Sequence, residues 1–273
     1  MAILLSVQDL AFIFGLLGNI VSFMVFLAPV PTFYTIYKKK TSEGFQSIPY
    51  VVALFSASLL LYYAFLKTNA YLIVSINAFG CFIETIYLIF FITFASKKTK
   101  MFTVKLILLF NVGVLGLIMV VSIVFTKGPH RVTLVGWTCA VINLAVFAAP
   151  LSIMRQVIRT KSVEYMPFNL SFFLTLCATM WFFYGFFIKD YYIALPNVLG
   201  FLFGIVQMIL YFVYKNASNK SGSEMEDNDI KNMKGGSEMK MEEFEEKDMK
   251  LSSTKNRTSG AAKHQEDIEM GKV

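Results

Sequence analysis

The sequence is poor in the side chains that most enzymes use for chemistry. It has only two histidines, His130 and His264, and neither has a partner at a spacing typical of a catalytic pair or a metal site. It also lacks a glycine-rich phosphate loop and a pair of acids inside an apolar segment. Hydrolysis, phosphoryl transfer and metal catalysis lack their usual groups, so we predict no enzyme activity, no metal and no cofactor.

Cysteine is also scarce. The three cysteines, Cys81, Cys139 and Cys177, all fall within apolar segments, and none belongs to a C-x-x-C pair. This spacing is not typical of a disulfide framework or a zinc site. We therefore interpret them as small buried hydrophobic residues.

Charge is nearly absent from seven long segments. Hydrophobic residues make up 56% of the 273 residues and include 28 phenylalanines, more apolar surface than one soluble core can bury. The segments are about 20 residues or longer, the length at which an α-helix crosses about 30 Å of hydrocarbon, and they do not alternate as transmembrane β-strands do. The sequence predicts an all-α membrane protein with seven transmembrane helices, near residues 10–37, 46–66, 70–95, 104–126, 132–154, 168–188 and 191–214.

Basic residues are distributed unevenly between the two ends of the predicted helices. Four lie at the end where the chain begins: Lys67, Lys127, Arg131 and Lys189. Eleven lie at the other end: Lys38, Lys39, Lys40, Lys97, Lys98, Lys100, Lys105, Arg155, Arg159, Lys161 and Lys215. By the positive-inside rule, the N-terminus is outside and the C-terminal tail is cytoplasmic.

The sequence repeats itself. The run Asn77-Ala78-Phe79-Gly80 recurs 120 residues later as Asn197-Val198-Leu199-Gly200. The fourth segment has no counterpart, and one extra crossing is what allows two three-helix units to keep the same orientation. We predict two parallel three-helix bundles joined by a linker helix, in the order 3+1+3. At nearly the same offset, Pro29 corresponds to Pro150, Tyr63 to Tyr184, and Tyr71 to Tyr191.

These observations predict four units. A first three-helix repeat covers residues 1–97, a linker helix 98–130, and a second three-helix repeat 131–215. Residues 216–273 are polar and have no apolar periodicity. We therefore expect them to form a disordered cytoplasmic tail.

Two amide side chains occupy matching positions of the repeat at membrane depth. An unpaired amide in apolar surroundings costs about 1–3 kcal/mol, so Asn77 and Asn197 need partners. A matched pair favours a shared ligand, whereas for Asn19 or Asn111 we favour a hydrogen bond to a neighbouring helix. The ligand should be uncharged, because the segments supply no lysine or arginine at mid-depth.

Trp181 and Glu84 are two further candidates. Trp181 offers a flat apolar face and one N–H donor, a surface on which the C–H face of a sugar ring commonly rests. Glu84 is the one acid well inside a segment. A hydrogen bond to a neighbouring hydroxyl or backbone group is the simpler interpretation of Glu84, with proton coupling as the alternative.

Four prolines lie toward the predicted cytoplasmic ends. Pro29 and Pro150 fall late in the first helix of each repeat, and Pro49 and Pro167 lie at the start of the second. Proline removes a backbone donor and permits a bend, so the two matched pairs favour a gate that swings on those bends. The alternative is that helix ends tolerate proline in any case.

Several motifs, in this order, resemble the plant SWEET sugar transporters of the MtN3/saliva type, and most closely their sucrose-transporting group. The resemblance extends from about residue 8 to 215. The motifs are Gly18-Asn19, Phe26-Leu27-Ala28-Pro29-Val30-Pro31-Thr32-Phe33, Glu43-Gly44-Phe45-Gln46-Ser47, Ile76-Asn77-Ala78-Phe79-Gly80 and Ala194-Leu195-Pro196-Asn197-Val198-Leu199-Gly200.

The resemblance implies a bidirectional uniporter that rocks two three-helix bundles around a central sugar site. It implies that Asn77 and Asn197 bind the sugar, in a pocket also lined by Trp181, Ser22, Val25, Ser56, Asn143, Val146 and Cys177. It implies a cytoplasmic gate at the proline tetrad Pro29, Pro49, Pro150 and Pro167. Extracellular gate contacts are expected at Tyr63, Tyr184 and Asp190.

Three positions depart from many sucrose-transporting members. Leu60 stands where they have a second tryptophan, and Asn143 and Cys177 stand where they have serines. Val25 and Val146 are similar to the small side chains of members that accept sucrose. We therefore favour sucrose as the substrate, with hexose as the alternative.

Two other functions are alternatives to a sugar uniporter. A proton-coupled transporter of a small polar solute is the more similar of the two. A seven-helix receptor is disfavoured, because receptors do not normally contain an internal repeat and the sequence lacks the Asp-Arg-Tyr and Asn-Pro-x-x-Tyr motifs typical of the large receptor family.

The expected partners are a sugar, membrane lipid and a homo- or hetero-oligomer, with no nucleic acid. We expect the plasma membrane as the location, with the vacuolar membrane as the alternative.

Overall fold

The computed structural model describes residues 6–163, 166 and 168–215. Seven helices in this part of the chain are long and apolar enough to cross a membrane, and no strand occurs in it. The all-α prediction and the count of seven are therefore confirmed. The helices are α1 Val7–Lys39, α2 Ile48–Phe65, α3 Tyr71–Phe94, α4 Lys97–Phe125, α5 Pro129–Thr160, α6 Phe168–Phe187 and α7 Tyr191–Lys215. The predicted tail, residues 216–273, lies outside the described residues.

Helix α1 begins with a capping box. The Ser6 hydroxyl accepts a hydrogen bond from the Asp9 backbone N–H at 3.1 Å, and the Asp9 carboxylate accepts one from the Ser6 N–H at 3.0 Å. These bonds satisfy backbone donors that the first helical turn otherwise leaves without partners. The sequence Ser-x-x-Asp thus defines where the first helix begins.

Helices α1 and α5 each contain a break near a proline. In α1 the segments Val7–Leu27 and Val30–Lys39 are separated at Ala28 and Pro29. In α5 the segments Pro129–Val146 and Ala148–Thr160 are separated at Phe147, three residues before Pro150. Because each helix continues past its break into a basic stretch, both are longer than the apolar segments predicted from the sequence.

The helix connections repeat in their backbone geometry. Lys40 after α1 and Lys161 after α5 have φ angles of 55° and 57°. Asn69 between α2 and α3 and Lys189 between α6 and α7 have φ angles of 59° and 56°. Non-glycine residues rarely adopt this left-handed conformation. Its occurrence at matching positions shows that the two halves, α1–α3 and α5–α7, share more than helix count.

Helix α4 attaches to the first half along α2. The Thr103 hydroxyl donates to Ser47 at 2.7 Å, and Tyr62 and Ser122 are hydrogen-bonded at 2.7 Å. Between these contacts, residues Leu108–Val114 form a π-helical segment, and Asn111 donates to the Val51 carbonyl at 3.4 Å. Polar contacts to the first half, together with apolar packing of Leu115 and Phe110 against the buried cluster around Phe55, therefore hold this unmatched helix in place.

Packing differs between the two ends of the bundle. We call the end with residues 66–70, 126–128 and 188–190 the Ser6 end, and the end with residues 40–47, 95–96 and 161–163 the Lys40 end. On the Ser6 side, one buried cluster joins both halves through Leu59, Tyr63, Ile73, Val135, Cys139, Tyr184 and Ile193. On the Lys40 side, the described residues form one cluster in each half, at Phe33, Ile36, Tyr87 and Phe91 and at Met154, Val157 and Met166. Among the described residues, a buried cluster shared by both halves is thus found at the Ser6 end and not at the Lys40 end.

Candidate functional site

A cavity of about 290 Å³ lies between the two halves, and both halves line it. Its walls are mostly apolar and aromatic, with a few amide and hydroxyl groups, as is common in small-molecule sites. Six of the predicted binding residues line it: Asn77, Asn197, Trp181, Ser22, Asn143 and Val146. The prediction did not include Phe26, Leu60, Ile73, Ile76, Phe147, Tyr192, Ile193 or Pro196, which also line the cavity.

Asn77 and Asn197 have the same orientation in their two helices. The Asn77 amide nitrogen donates to the Ile73 carbonyl at 2.9 Å, and the Asn197 amide nitrogen donates to the Ile193 carbonyl at 2.8 Å. Neither amide oxygen has a hydrogen-bond partner among the described residues, although both side chains line the cavity. Each asparagine therefore offers an acceptor to a molecule in the cavity.

Trp181 offers the cavity its ring and not its N–H group. The indole nitrogen donates to the Ser22 hydroxyl at 2.9 Å, and that hydroxyl is also hydrogen-bonded to the Cys177 sulfur at 3.0 Å. Gly18 allows the ring to lie against α1, because a Cβ at this glycine would lie 3.1 Å from the ring. The one N–H donor that the sequence offers at Trp181 is therefore used by Ser22 of the other half, which leaves the apolar ring face for a ligand.

Asn143 is hydrogen-bonded through its amide oxygen, whereas Asn77 and Asn197 are bonded through their amide nitrogens. The Ser56 hydroxyl of α2 donates to the Asn143 amide oxygen of α5 at 2.8 Å, across the two halves. Ser56 and Cys177 thus hydrogen-bond to residues of the wall and are not among the residues that line the cavity. Val25 is half-buried and is likewise not part of the lining.

The Ser6 end is closed by an ion pair between the halves. Asp190, which is 2% exposed, accepts a hydrogen bond at 2.8 Å from the hydroxyl of Tyr63, which is fully buried. Lys67 forms an ion pair with the same carboxylate oxygen. Sequence reasoning did not single out Lys67; its signal was that it is one of only four basic residues at this end. Tyr184 is also buried, but it contacts the edge of Trp181, with ring centroids 5.3 Å apart.

A second cavity adjoins the first toward the Lys40 end. It has a volume of about 210 Å³, shares Asn197 and Phe147 with the first, and is lined only by residues of α5, α6 and α7, including the predicted binding residue Cys177. Pro29 lies at the break of α1, whereas Pro49 lies in the first turn of α2, where proline is tolerated without a bend. Pro167 lies outside the described residues. Pro150 lines the second cavity, whereas Pro29 and Pro49 line neither of these two cavities.

Three further polar residues inside the helices, Asn19, Asn111 and Glu84, do not line the first cavity. Asn19 donates to the Leu72 carbonyl of α3 at 2.8 Å, so its predicted bond to a neighbouring helix is confirmed, as is that of Asn111. Glu84 is buried, and its Oε2 has no hydrogen-bond partner among residues 6–163, 166 and 168–215. The simpler interpretation of Glu84, a bond to a neighbouring hydroxyl or backbone group, is therefore not supported for this oxygen.

Comparison with known proteins identifies the family. The model of a family described as sugar efflux transporter for intercellular exchange matches residues 12–99 and 133–219. The bidirectional sugar transporter NEC1 of Petunia hybrida is 71% identical over 213 residues, which cover 78% of this chain and 80% of that protein. The bidirectional sugar transporter SWEET9 of Arabidopsis thaliana is 63% identical over 214 residues, with 78% and 83% covered.

A solved structure of a eukaryotic SWEET transporter has the same fold. It superposes with a TM-score of 0.73 at 34% sequence identity, and the match covers 77% of this chain and 99% of that one. Two copies of one family model therefore flank the unmatched helix α4, within an integral multi-pass membrane protein. The chain belongs to the SWEET family of sugar transporters and is not an enzyme.

Proposed function

We propose that this protein is a bidirectional facilitative uniporter that carries sucrose by alternating access. The observation that supports this most directly is the matched pair of amide oxygens, from Asn77 and Asn197, in a cavity between two equivalent halves. The relatives carry the name bidirectional sugar transporter, and this name agrees with an uncharged, hydroxyl-bearing ligand.

The polar groups of the cavity suit a sugar. The oxygens of Asn77 and Asn197 accept hydrogen bonds from sugar hydroxyls, and the face of Trp181 supports the C–H face of a ring. In the described part of the chain, no charged side chain lines the cavity, so a neutral solute enters without leaving a buried charge unpaired. We expect a dissociation constant near millimolar, about −4 kcal/mol, because a carrier must release its ligand.

The two ends of the cavity suit alternating access. The contacts of Asp190 with Tyr63 and Lys67 close the Ser6 end, while at the Lys40 end the described residues form a separate buried cluster in each half. For transport, the halves would separate at Asp190 and approach each other at the other end, turning at the breaks near Pro29 and Pro150. Pro49 and Pro167 are included in the proposed gate through their match to the family's tetrad.

Sucrose is proposed in preference to a hexose because of the room for two rings. Val146 is a small side chain in the wall of the first cavity, and Asn197 also lines the second cavity within the second half, which gives a second ring a place next to the first. Leu60, opposite Trp181 in the repeat, removes one stacking face. With leucine at this position, we expect a disaccharide to stack one ring on Trp181 and to place its second ring away from that face.

Transport by purified protein in liposomes tests the proposal. We expect counterflow of labelled sucrose, with less for glucose and fructose. Asn77→Ala and Asn197→Ala should each lower the rate at least about tenfold, because each removes an acceptor and leaves sugar hydroxyls without partners. Asn111→Leu is the matched control, since this asparagine lies outside the cavity. Unchanged rates in both cavity variants would overturn the assigned site, and no flux of any sugar would overturn the function.

Flux measurements in the same liposomes, with and without a pH gradient, distinguish uniport from proton-coupled transport. Glu84 is the buried acid that motivates the coupled alternative, since its Oε2 has no partner among the described residues. We expect sucrose flux to be insensitive to collapse of a pH gradient, and Glu84→Gln to keep that insensitivity. Accumulation of sugar that disappears with the gradient would establish the coupled alternative instead.

A further inference from the structure

The three asparagines that line the cavity do not offer it the same atoms. Asn77 and Asn197 each donate one of their two amide N–H groups to their own helix and leave the oxygen without a partner among the described residues. In Asn143 it is the oxygen that is used, by the Ser56 hydroxyl at 2.8 Å. The amide nitrogen of Asn143 has no partner in the described part of the chain, so two N–H donors remain for a ligand.

The wall that carries Ser22 and Trp181 offers the ligand different groups. Ser22 occupies the position of the first half that corresponds to Asn143, 121 residues earlier. Its hydroxyl accepts from the Trp181 indole and is bonded to the Cys177 sulfur. Trp181 has no second donor. That wall therefore presents a ring face, while the Asn143 wall presents N–H groups next to the apolar side chain of Leu60.

We propose that Ser56 is a positioning residue that holds Asn143 with its N–H groups toward the sugar, so that Asn143 selects an oxygen for its ability to accept. This inference rests on the proposed function. The oxygen is that of a sugar hydroxyl, to which Asn143 donates, whereas the amide oxygens of Asn77 and Asn197 accept from other hydroxyls. With a ring face at Trp181 and two N–H groups at Asn143, the site favours the orientation of the sugar in which a ring lies on Trp181 and the accepting oxygen lies at Asn143.

Sugar analogues that accept but do not donate distinguish these roles. Replacing a hydroxyl by fluorine removes its donor and keeps a weak acceptor, whereas replacing it by hydrogen removes both. The probes are the single deoxy and deoxyfluoro analogues of the sugar that wild-type protein carries, used as competitors of labelled counterflow. At one hydroxyl, the fluoro analogue should compete about 3- to 10-fold better than the deoxy analogue, the effect of about one hydrogen bond. Hydroxyls bound by Asn77 or Asn197 should lose competition with both analogues.

Variants of the pair connect this ratio to Ser56 and Asn143. Asn143→Leu, which has a similar size and no donor, should bring the fluoro-to-deoxy ratio at that hydroxyl close to one. Ser56→Ala frees the amide to turn and should bring the ratio down in the same way, whereas Ser56→Thr, which keeps the hydroxyl, should restore it. If Ser56 had only a structural role, its replacement would weaken competition by the fluoro and the deoxy analogue equally, and the fluoro-to-deoxy ratio would stay at the wild-type value.

Ser58→Ala is the matched control. Ser58 lies on the same helix and has the same side chain, but it contacts Cys81 outside the cavity, so the ratio should stay at the wild-type value. Wild-type protein that transports sugar but loses competition with fluoro and deoxy analogues alike at every hydroxyl would overturn the inference. So would a wild-type ratio that survives in both Ser56→Ala and Asn143→Leu. Either result leaves sugar transport itself intact, whereas absence of counterflow in wild-type protein would refute the proposed function.

Discussion

Phe26 and Phe147 are matching residues that line the cavity next to the breaks of α1 and α5. Each ring rests on a glycine of the third helix in its half, Gly80 or Gly200. The glycines carry the repeated asparagine motif, which ends in glycine in both copies. Because glycine has no side chain, Phe26 and Phe147 can pack against the third helix of their half, and a larger residue at either glycine would push the ring toward the cavity.

Replacing Gly80 with alanine should impair transport more than replacing Gly200. A Cβ at residue 80 would lie 2.6 Å from Phe26 Cζ and would force the ring aside, whereas a Cβ at residue 200 would lie 3.2 Å from Phe147 Cζ. Overpacking of this kind costs about 1–3 kcal/mol. We expect sucrose uptake per reconstituted protein to fall several-fold in Gly80→Ala and less in Gly200→Ala.

The ring itself supplies the control for that result. If the displaced Phe26 blocks the cavity, the smaller side chain of Phe26→Leu in the Gly80→Ala background should recover part of the lost uptake. Equal uptake by Gly80→Ala with and without this second change would show that the glycine acts through something other than Phe26.

At the scale of helices, the end of α2 and the start of α7 are joined by the contacts of Asp190. This carboxylate also accepts a bond from the Ile193 backbone N–H at 3.3 Å, in the first turn of α7. It is thereby bound to α7 and, through Tyr63 and Lys67, to the other half. A buried acid with these partners stabilises one conformation of the halves more than the separated one.

Cys139 provides a native reporter of this closure. Its sulfur is buried beneath the Asp190 contacts, 3.8 Å from the Leu59 carbonyl of the other half. We expect Lys67→Met to speed alkylation of Cys139 by a thiol reagent, measured by mass spectrometry, because loss of the ion pair favours opening at the Ser6 end. Lys67→Arg should keep the wild-type rate.

Removal of a neighbouring charge is the control for Cys139 alkylation. Lys189 lies beside Asp190 in the sequence, is exposed and forms no ion pair with described residues, so Lys189→Met should react at the wild-type rate. Alkylation that is equally slow in wild-type protein and in Lys67→Met would show that the ion pair does not hold this end closed.

For the whole molecule, the distribution of charge and the packing of the halves point to the same assignment of ends. The Lys40 end carries the larger number of basic residues, and there the described residues form separate clusters in the two halves. The Ser6 end has one cluster common to both. If the basic end is cytoplasmic, this structure corresponds to a transporter closed to the outside and open toward the cytoplasm.

Epitope tags test that orientation. A tag inserted between Lys127 and Gly128, in the connection from α4 to α5, should bind antibody on intact cells. A tag inserted between Glu43 and Gly44, in the connection from α1 to α2, should bind only after the membrane is permeabilised. The reverse pattern would invert the proposed topology and exchange the two gates.

Much of the architecture follows from sequence because the bilayer restricts the backbone. In hydrocarbon, every backbone N–H and C=O must be bonded within the segment, so a long apolar run forms a helix whatever its neighbours are. The repeat predicts that Asn77 and Asn197 occupy equivalent places in the two halves, and both line the cavity between them. The extent of α1 and α5 was underestimated, since a helix that restarts at Pro29 or Phe147 does not need apolar residues beyond the membrane.

The sequence by itself determined seven helices, their duplication and the depth of the paired asparagines, because each depends on local composition and spacing. Tertiary structure decided which atoms are free: Trp181 gives its N–H to Ser22, and Asn143 gives its oxygen to Ser56. It also decided that Asp190 pairs with Lys67, more than 120 residues away along the chain. Such pairings depend on where one helix stands against another, and a hydrogen bond is satisfied by any partner within about 3 Å, however far away in sequence.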